Sequence, residues 1–281
     1  MNCELSLGFS PCPNDTFIFC GLAQGKIPLR RVRFAAPLLE DVETLNSWAR
    51  QGRLDVTKLS FHAFGHVLDR YTLLDSGAAL GRGCGPLLIT AQAVGDPSSW
   101  TVAIPGQLTT ASLLLRLFLR QPCRTVVMRF DQIMEAVLSG KADAGVIIHE
   151  SRFTYQARGL RCVQDLGAWW EEETGLPIPL GCIAARRSLP AELIEEIEQS
   201  VEASIRWAQA DPAACLPYIR QHAQELEETV IAAHVGLYVN DFSLRLGEEG
   251  RAAAQELLKR GREAGIFGQM DSNYSAKSML W

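Results

Sequence analysis

A chain of 281 residues, 47% hydrophobic and 21% charged, has the length for one large domain or two lobes and the balance of an ordinary globular protein. Its 27 basic and 32 acidic side chains leave a net charge of −5, and no basic tract could follow a phosphate backbone, so a nucleic-acid partner is not expected. No apolar run approaches the ~20 residues that cross a bilayer, and the first residues lack the basic and apolar regions of a secretory signal, so the expected location is the cytoplasm.

Leu5 to Phe9 reads as a short apolar strand entering the turn-rich Ser10–Asp15. Thr16 to Ala23 reads as a helix, with Asn14 or Asp15 as N-cap and Gly25 as terminator. Arg31 to Phe34 is a second strand. Asp41 to Arg50 carries Val42, Leu45 and Trp48 at helical spacing. Leu54 to Leu59 is a strand running into Ser60, followed by a helix from Phe61 to Leu68. Tyr71 to Leu74 and Gly85 to Thr90 are strands on either side of a glycine-rich stretch. Trp100 to Ile104, Arg124 to Phe130 and Ala144 to Ile148 are further strands, with helices Thr110 to Leu119 and Asp131 to Ser139 between them. Leu180 to Ala185 is strand-like, and from Pro190 to Ile266 the pattern is helical.

Strands that alternate with helices imply parallel βαβ units. The extended passages Leu87 to Thr90 and Leu180 to Ala185 bracket the second α/β cluster, which suggests a lobe inserted into the first. The expected fold is therefore α/β, two-lobed and periplasmic-binding-protein-like (type II), with two crossing strands as a hinge. Residues 1–88 would begin the first lobe, 89–186 form the inserted lobe, and 187–281 pack back on the first.

His149 ends the strand GVIIHE, where ligands of open α/β sheets gather, and its imidazole can take a proton near neutrality. A strand-end histidine bonded to a carbonyl is the other reading. Glu150 could orient that imidazole, but neighbours on a strand point to opposite faces. The junction Ile104 to Ala111 offers first-turn N–H groups to an anion, with Thr109 or Thr110 as N-cap; a plain cap would look the same. Lys58 and Ser60, at another strand end, can supply a charge and a hydroxyl, though Lys58 could equally be a solvated surface charge. Gly81 to Pro86 matches no phosphate-loop spacing and reads as a tight turn. His62 and His66 sit four apart without the H-E-x-x-H signature, so no metal is expected. Trp169 and Trp170 suit hinge packing better than a cleft wall. The eight cysteines form no C-x-x-C pair and are expected as reduced thiols, mostly packed as small hydrophobes.

Taken together, SPCPNDTFIF (10–19), DVTKLS (55–60), SGAALGRGCGPL (76–87), PGQLTTA (105–111), GVIIHESRFTY (145–155), DLGAWWEEETGLPIPLG (165–181) and VNDFSLRLGEEG (239–250) closely resemble the 1,4-dihydroxy-6-naphthoate synthase family of the futalosine route to menaquinone. The likeness runs in order through about the first 250 residues, and the tail after about Gly261 carries none. Gln107-Leu108 departs from the basic character such a sequence would have there. The resemblance implies the same two-lobed fold and a carbon–carbon lyase that splits cyclic dehypoxanthine futalosine to 1,4-dihydroxy-6-naphthoate. It implies His149 as proton acceptor, and Lys58, Leu59, Ser60, Thr110 and Ala111 as substrate-binding positions. Aromatisation would drive the reaction, so no metal, flavin or nicotinamide is expected, and the partner is a small carboxylated substrate. Two alternatives stand beside it: a chorismate-dehydrating enzyme of the same route, which should lack the His149 motif, and a non-catalytic solute-binding protein.

Overall fold

In a computed structural model the described residues are 3–92, 99–149, 151–223 and 227–267. Glu150 and the tail from residue 268 onward lie outside them. The first expected strand is split into β1 (Cys3–Leu5) and β2 (Leu7–Phe9). Ser6 causes the break: its N–H and hydroxyl both donate to Asp55 Oδ2, at 2.9 and 2.7 Å, and turn the backbone between the strands. Then follow α1 (Pro13–Ala23), β3 (Val32–Phe34), β4 (Leu38–Leu39), α2 (Val42–Arg50), β5 (Val56–Ser60), α3 (Phe61–Gly65), β6 (Tyr71–Leu73), β7 (Ala79–Gly81) and β8 (Leu87–Thr90). The second cluster holds β9 (Thr101–Ile104), α4 (Thr110–Leu119), β10 (Arg124–Val127), α5 (Ile133–Leu138), β11 (Ala144–Ile147), α6 (Ser151–Thr154), β12 (Arg161–Asp165) and α7 (Leu166–Thr174). The chain ends in β13 (Ile178–Arg186) and helices α8 (Ala191–Ala210), α9 (Leu216–His222), α10 (Glu228–Tyr238), α11 (Asp241–Leu244) and α12 (Gly247–Glu263).

Two principal sheets result. One has the order β4-β2-β5-β13-β6, with β7 also on β13; the other runs β10-β9-β11-β8-β12. The βαβ strands are parallel as expected, whereas β13 is antiparallel to β5, β6 and β7, and β8 is antiparallel to β11 and β12. Strands β8 and β13 each pair within one sheet. The chain passes between sheets beside them, through residues 82–86 and back through α7 and residues 175–177.

The two crossings touch. A Cβ on Gly167 would lie 2.7 Å from Gly85 Cα, so backbone packs on backbone. Arg152 secures the contact, donating to the Gly85 carbonyl and, at 3.0 Å, to Asp165 Oδ2. The other Asp165 oxygen caps α7 through the N–H groups of Gly167 and Ala168. Trp170 is fully buried beside the return passage and donates to the Pro177 carbonyl at 3.1 Å, so it packs the crossing.

Helix α1 begins at Pro13 with Cys12 as N-cap, not at Asn14 or Asp15. Both of those side chains are buried, and they serve the cleft described below. The helix is buried on nearly every side, which fits a core element better than an amphipathic one. Helix α8 lies along it, its Ser204 hydroxyl donating to the Ile18 carbonyl at 2.6 Å. No described helix is long and apolar enough to cross a membrane.

Candidate active site

Between the sheets lies a cleft lined by strand ends and helix starts from both. Lys58 and Ser60 alternate on one face of β5 and reach it, whereas Leu59 points the other way into the apolar core and does not line the cleft. Lys58 is 4% exposed and forms an ion pair with Asp15, which is 1% exposed. Gly181 on the neighbouring strand makes room for it, since a Cβ there would stand 2.9 Å from Lys58 Cε. The second Asp15 oxygen accepts the Ser10 hydroxyl at 2.7 Å and the Ser10 N–H at 3.2 Å. A buried charge is held only when paired and hydrogen-bonded in this way.

The network continues to a residue that sequence reading did not single out. Asn14 donates from Nδ2 to Asp15 Oδ1 at 2.8 Å, and its Oδ1 lies 3.0 Å from His234 Nε2. His234, on α10, is buried and lines the cleft. Burial first, then the His149 and Lys58 charges, pushes its imidazole down to about 3. It is therefore a neutral ring at any working pH.

His149 follows β11 with φ of 58°, a left-handed backbone that carries the chain out of the strand and leaves the imidazole on the cleft wall. Its ring lies parallel to that of His234, 6.0 Å between centroids and 13° apart, and the Phe130 ring packs edge-on at 4.9 Å. Cys12 Sγ is 3.8 Å from His149 Nε2. Burial pushes the Cys84 thiol up to about 12, so it faces the cleft as an apolar group.

From the second sheet, Thr109 is the N-cap of α4, its hydroxyl accepting the Ser112 N–H at 3.2 Å. Leu113 N–H bonds the Thr109 carbonyl, so Thr110 and Ala111 occupy the positions whose N–H groups have no acceptor within the helix. Both line the cleft. The Thr110 hydroxyl donates to the Leu180 carbonyl at 2.6 Å, tying α4 to β13. From the other side, Glu43 on α2 accepts the Leu108 N–H, and burial raises its carboxyl above the usual range against the hydrogen bonds that lower it. The uncharged Gln107-Leu108 turn is thus met by a carboxylate of this chain. His62 and His66 lie outside the cleft, His62 Nδ1 being 3.1 Å from the Thr109 carbonyl. No group of residues that could hold a metal occurs among the described residues.

Five of the six expected site positions therefore reach one cleft: Lys58, Ser60, Thr110, Ala111 and His149. The arrangement offers an imidazole to take a proton, an ion-paired ammonium, a hydroxyl and two helix N–H groups for a carboxylate.

The fold belongs to the class of two-lobed periplasmic binding proteins: it superposes on the periplasmic aliphatic sulphonate binding protein of Escherichia coli with a TM-score of 0.67, at 12% identity, covering 99% of this chain and 92% of that one. The sequence is narrower. A family model described as menaquinone biosynthesis matches residues 5–263, and the chain belongs to that family. A 1,4-dihydroxy-6-naphthoate synthase of Thermus thermophilus is 51% identical over 93% of this chain and 95% of its own length. One of Streptomyces coelicolor is 47% identical over 93% and 94%.

Proposed function

We propose that the protein is a 1,4-dihydroxy-6-naphthoate synthase, a cytoplasmic carbon–carbon lyase that converts cyclic dehypoxanthine futalosine to 1,4-dihydroxy-6-naphthoate. The observation that carries this reading is His149 lining the same cleft as the α4 N-terminus and the Lys58/Ser60 strand end, in a member of the menaquinone-biosynthesis family. The substrate's aromatic carboxylate rests on the Thr110 and Ala111 N–H groups, where the helix dipole favours an anion. Because Asp15 already neutralises Lys58, the ammonium contributes a hydrogen bond and shape more than net charge. His149 removes the proton whose loss leads to carbon–carbon cleavage, and aromatisation draws the reaction forward as the ribose-derived fragment leaves. His234 stays uncharged next to it, so the proton passes to a single imidazole.

The same reading divides the molecule into two lobes, one on each sheet, that close over the substrate about the crossings at 82–86 and 166–177. The His149 motif argues against the chorismate-dehydrating alternative. The test is turnover of cyclic dehypoxanthine futalosine by purified protein, with the naphthoate product followed by chromatography. Binding without turnover would favour the solute-binding alternative.

A further inference from the structure

Helix α2 packs on β5 of the first sheet, yet its side chains grip the turn between β9 and α4 of the second. The two Glu43 carboxylate oxygens each stand 3.1 Å from the Leu108 nitrogen, whose N–H they accept. Asn46 Nδ2 donates to the Leu108 carbonyl at 3.3 Å. The same Asn46 holds Ser60, accepting its N–H at 2.9 Å and donating to its hydroxyl at 3.1 Å. Glu43 also fills the space beside Gly106, where an added Cβ would meet Glu43 Cδ at 2.5 Å and Oε2 more closely still. One helix thus grips the candidate anion-binding turn and the candidate strand-end hydroxyl together, across a gap that no strand bridges.

We propose that Glu43 is a positioning residue for the substrate, its carboxylate latching the 106–108 turn to α2 so that the Thr110 and Ala111 N–H groups aim into the cleft beside Ser60. The inference rests on reading that helix start as the carboxylate site. Leu108 lies two residues before Thr110, so a displaced turn carries the first turn of α4 with it. A hydrogen bond to an ionised acceptor is the stronger kind, which suits a latch that must hold against thermal opening. Glu43 does not line the cleft, so it acts on binding and not on the proton transfer.

Gly106 supplies a second handle. A methyl group there strikes the far end of the Glu43 side chain rather than backbone, so it displaces the latch and leaves the turn intact. The experiment compares Glu43→Ala, Glu43→Gln, Gly106→Ala and the Glu43→Ala/Gly106→Ala pair in turnover and in a calorimetric titration with 2-naphthoate, an aromatic carboxylate. Glu43→Ala and Gly106→Ala are each expected to raise KM and weaken naphthoate binding about tenfold, with kcat held within about threefold, the pattern of lost uniform binding. Glu43→Gln, whose amide oxygen still accepts the Leu108 N–H, should recover most of the affinity. The paired variant should be no worse than Glu43→Ala, because the methyl then has nothing to displace. Unchanged naphthoate affinity in Glu43→Ala, or additive losses in the pair, would overturn the latch. Wild-type protein that binds naphthoate but turns nothing over would sink the lyase reading alone, since the titration reads the latch without it. Should Glu43→Ala melt below the assay temperature, Gly106→Ala against Glu43→Gln carries the same decision.

Discussion

Among the described residues only Arg120 and His149 combine a side chain with positive φ, and His149 does so on the cleft wall. Asn and His are among the few non-glycine residues that enter this region with some ease, so His149→Asn keeps both the backbone and a polar group. It cannot take a proton at neutral pH, and kcat should fall by roughly 10²–10⁴-fold while naphthoate affinity and the melting temperature hold. Wild-type kcat in that variant would remove His149 from the chemistry; a collapsed melt would return it to holding the strand end. A different loss is expected at Asp15. Asp15→Asn leaves Lys58 buried without its counter-charge, which should cost about 3 kcal/mol in a urea titration, whereas Lys58→Met with Asp15→Asn should recover much of it. A pair of equal losses that simply add would show that the two charges do not depend on each other. These partners explain what the sequence could and could not disclose. Lys58, Ser60, Thr110, Ala111 and His149 sit at strand ends and a helix start, which are visible along the chain. Asp15 meets Lys58 across 43 positions and Asn14 meets His234 across 220, and no local pattern encodes such pairings.

At the level of elements, periodicity located most strands and helices, and the departures have local causes. The helix expected to run to Leu68 stops at Gly65, where a Cβ would meet the Phe267 ring at 2.5 Å; the site needs a glycine, and glycine ends the helix. Strand β12 leaves no signal in the sequence, because Arg161–Asp165 shows no clean alternation and carries a bulge between Cys162 and Gln164. The glycine-rich stretch was legible as a turn, but not the reason for its glycines. Gly85 faces Gly167 with only backbone between the crossings, and here a methyl group has no flexible neighbour to move. Gly167→Ala should therefore destabilise by about 1–3 kcal/mol, the cost of overpacking, whereas Gly106→Ala should leave the melt nearly unchanged. Chemical denaturation of the two variants side by side checks the contrast. Equal stability in both would mean that the crossings can separate at no cost, and the pivot would have to lie elsewhere.

Across the whole molecule, folding withdraws titratable rings from water in two places, and this sets how stability responds to acid. Burial holds His62 down to about 4, with His66 and Arg116 adding repulsion against the Thr109 hydrogen bond, and holds His234 down to about 3. In the unfolded chain both return to about 6.5. Between those limits the unfolded state binds protons that the folded state refuses, so stability rises with pH. Their contribution is complete above about 6.5 and is lost as the pH falls towards the folded values, by about 2 kcal/mol for each histidine at pH 5. Glu43 works the other way, since its raised carboxyl favours the folded state as protons are added, but it is one group against three, because burial lowers His66 as well. The urea midpoint should therefore drop clearly between pH 7.5 and pH 5, where most carboxylates are still ionised. His62→Asn keeps a donor near the Thr109 carbonyl and removes the titration of a side chain that does not itself line the cleft. Its loss over the same interval should be smaller than wild type by about 2 kcal/mol. An identical pH slope in the variant would show that His62 is solvated or charged in the folded protein, and would leave His66 and His234, with its Asn14–Asp15–Lys58 chain, as the acid-sensitive groups.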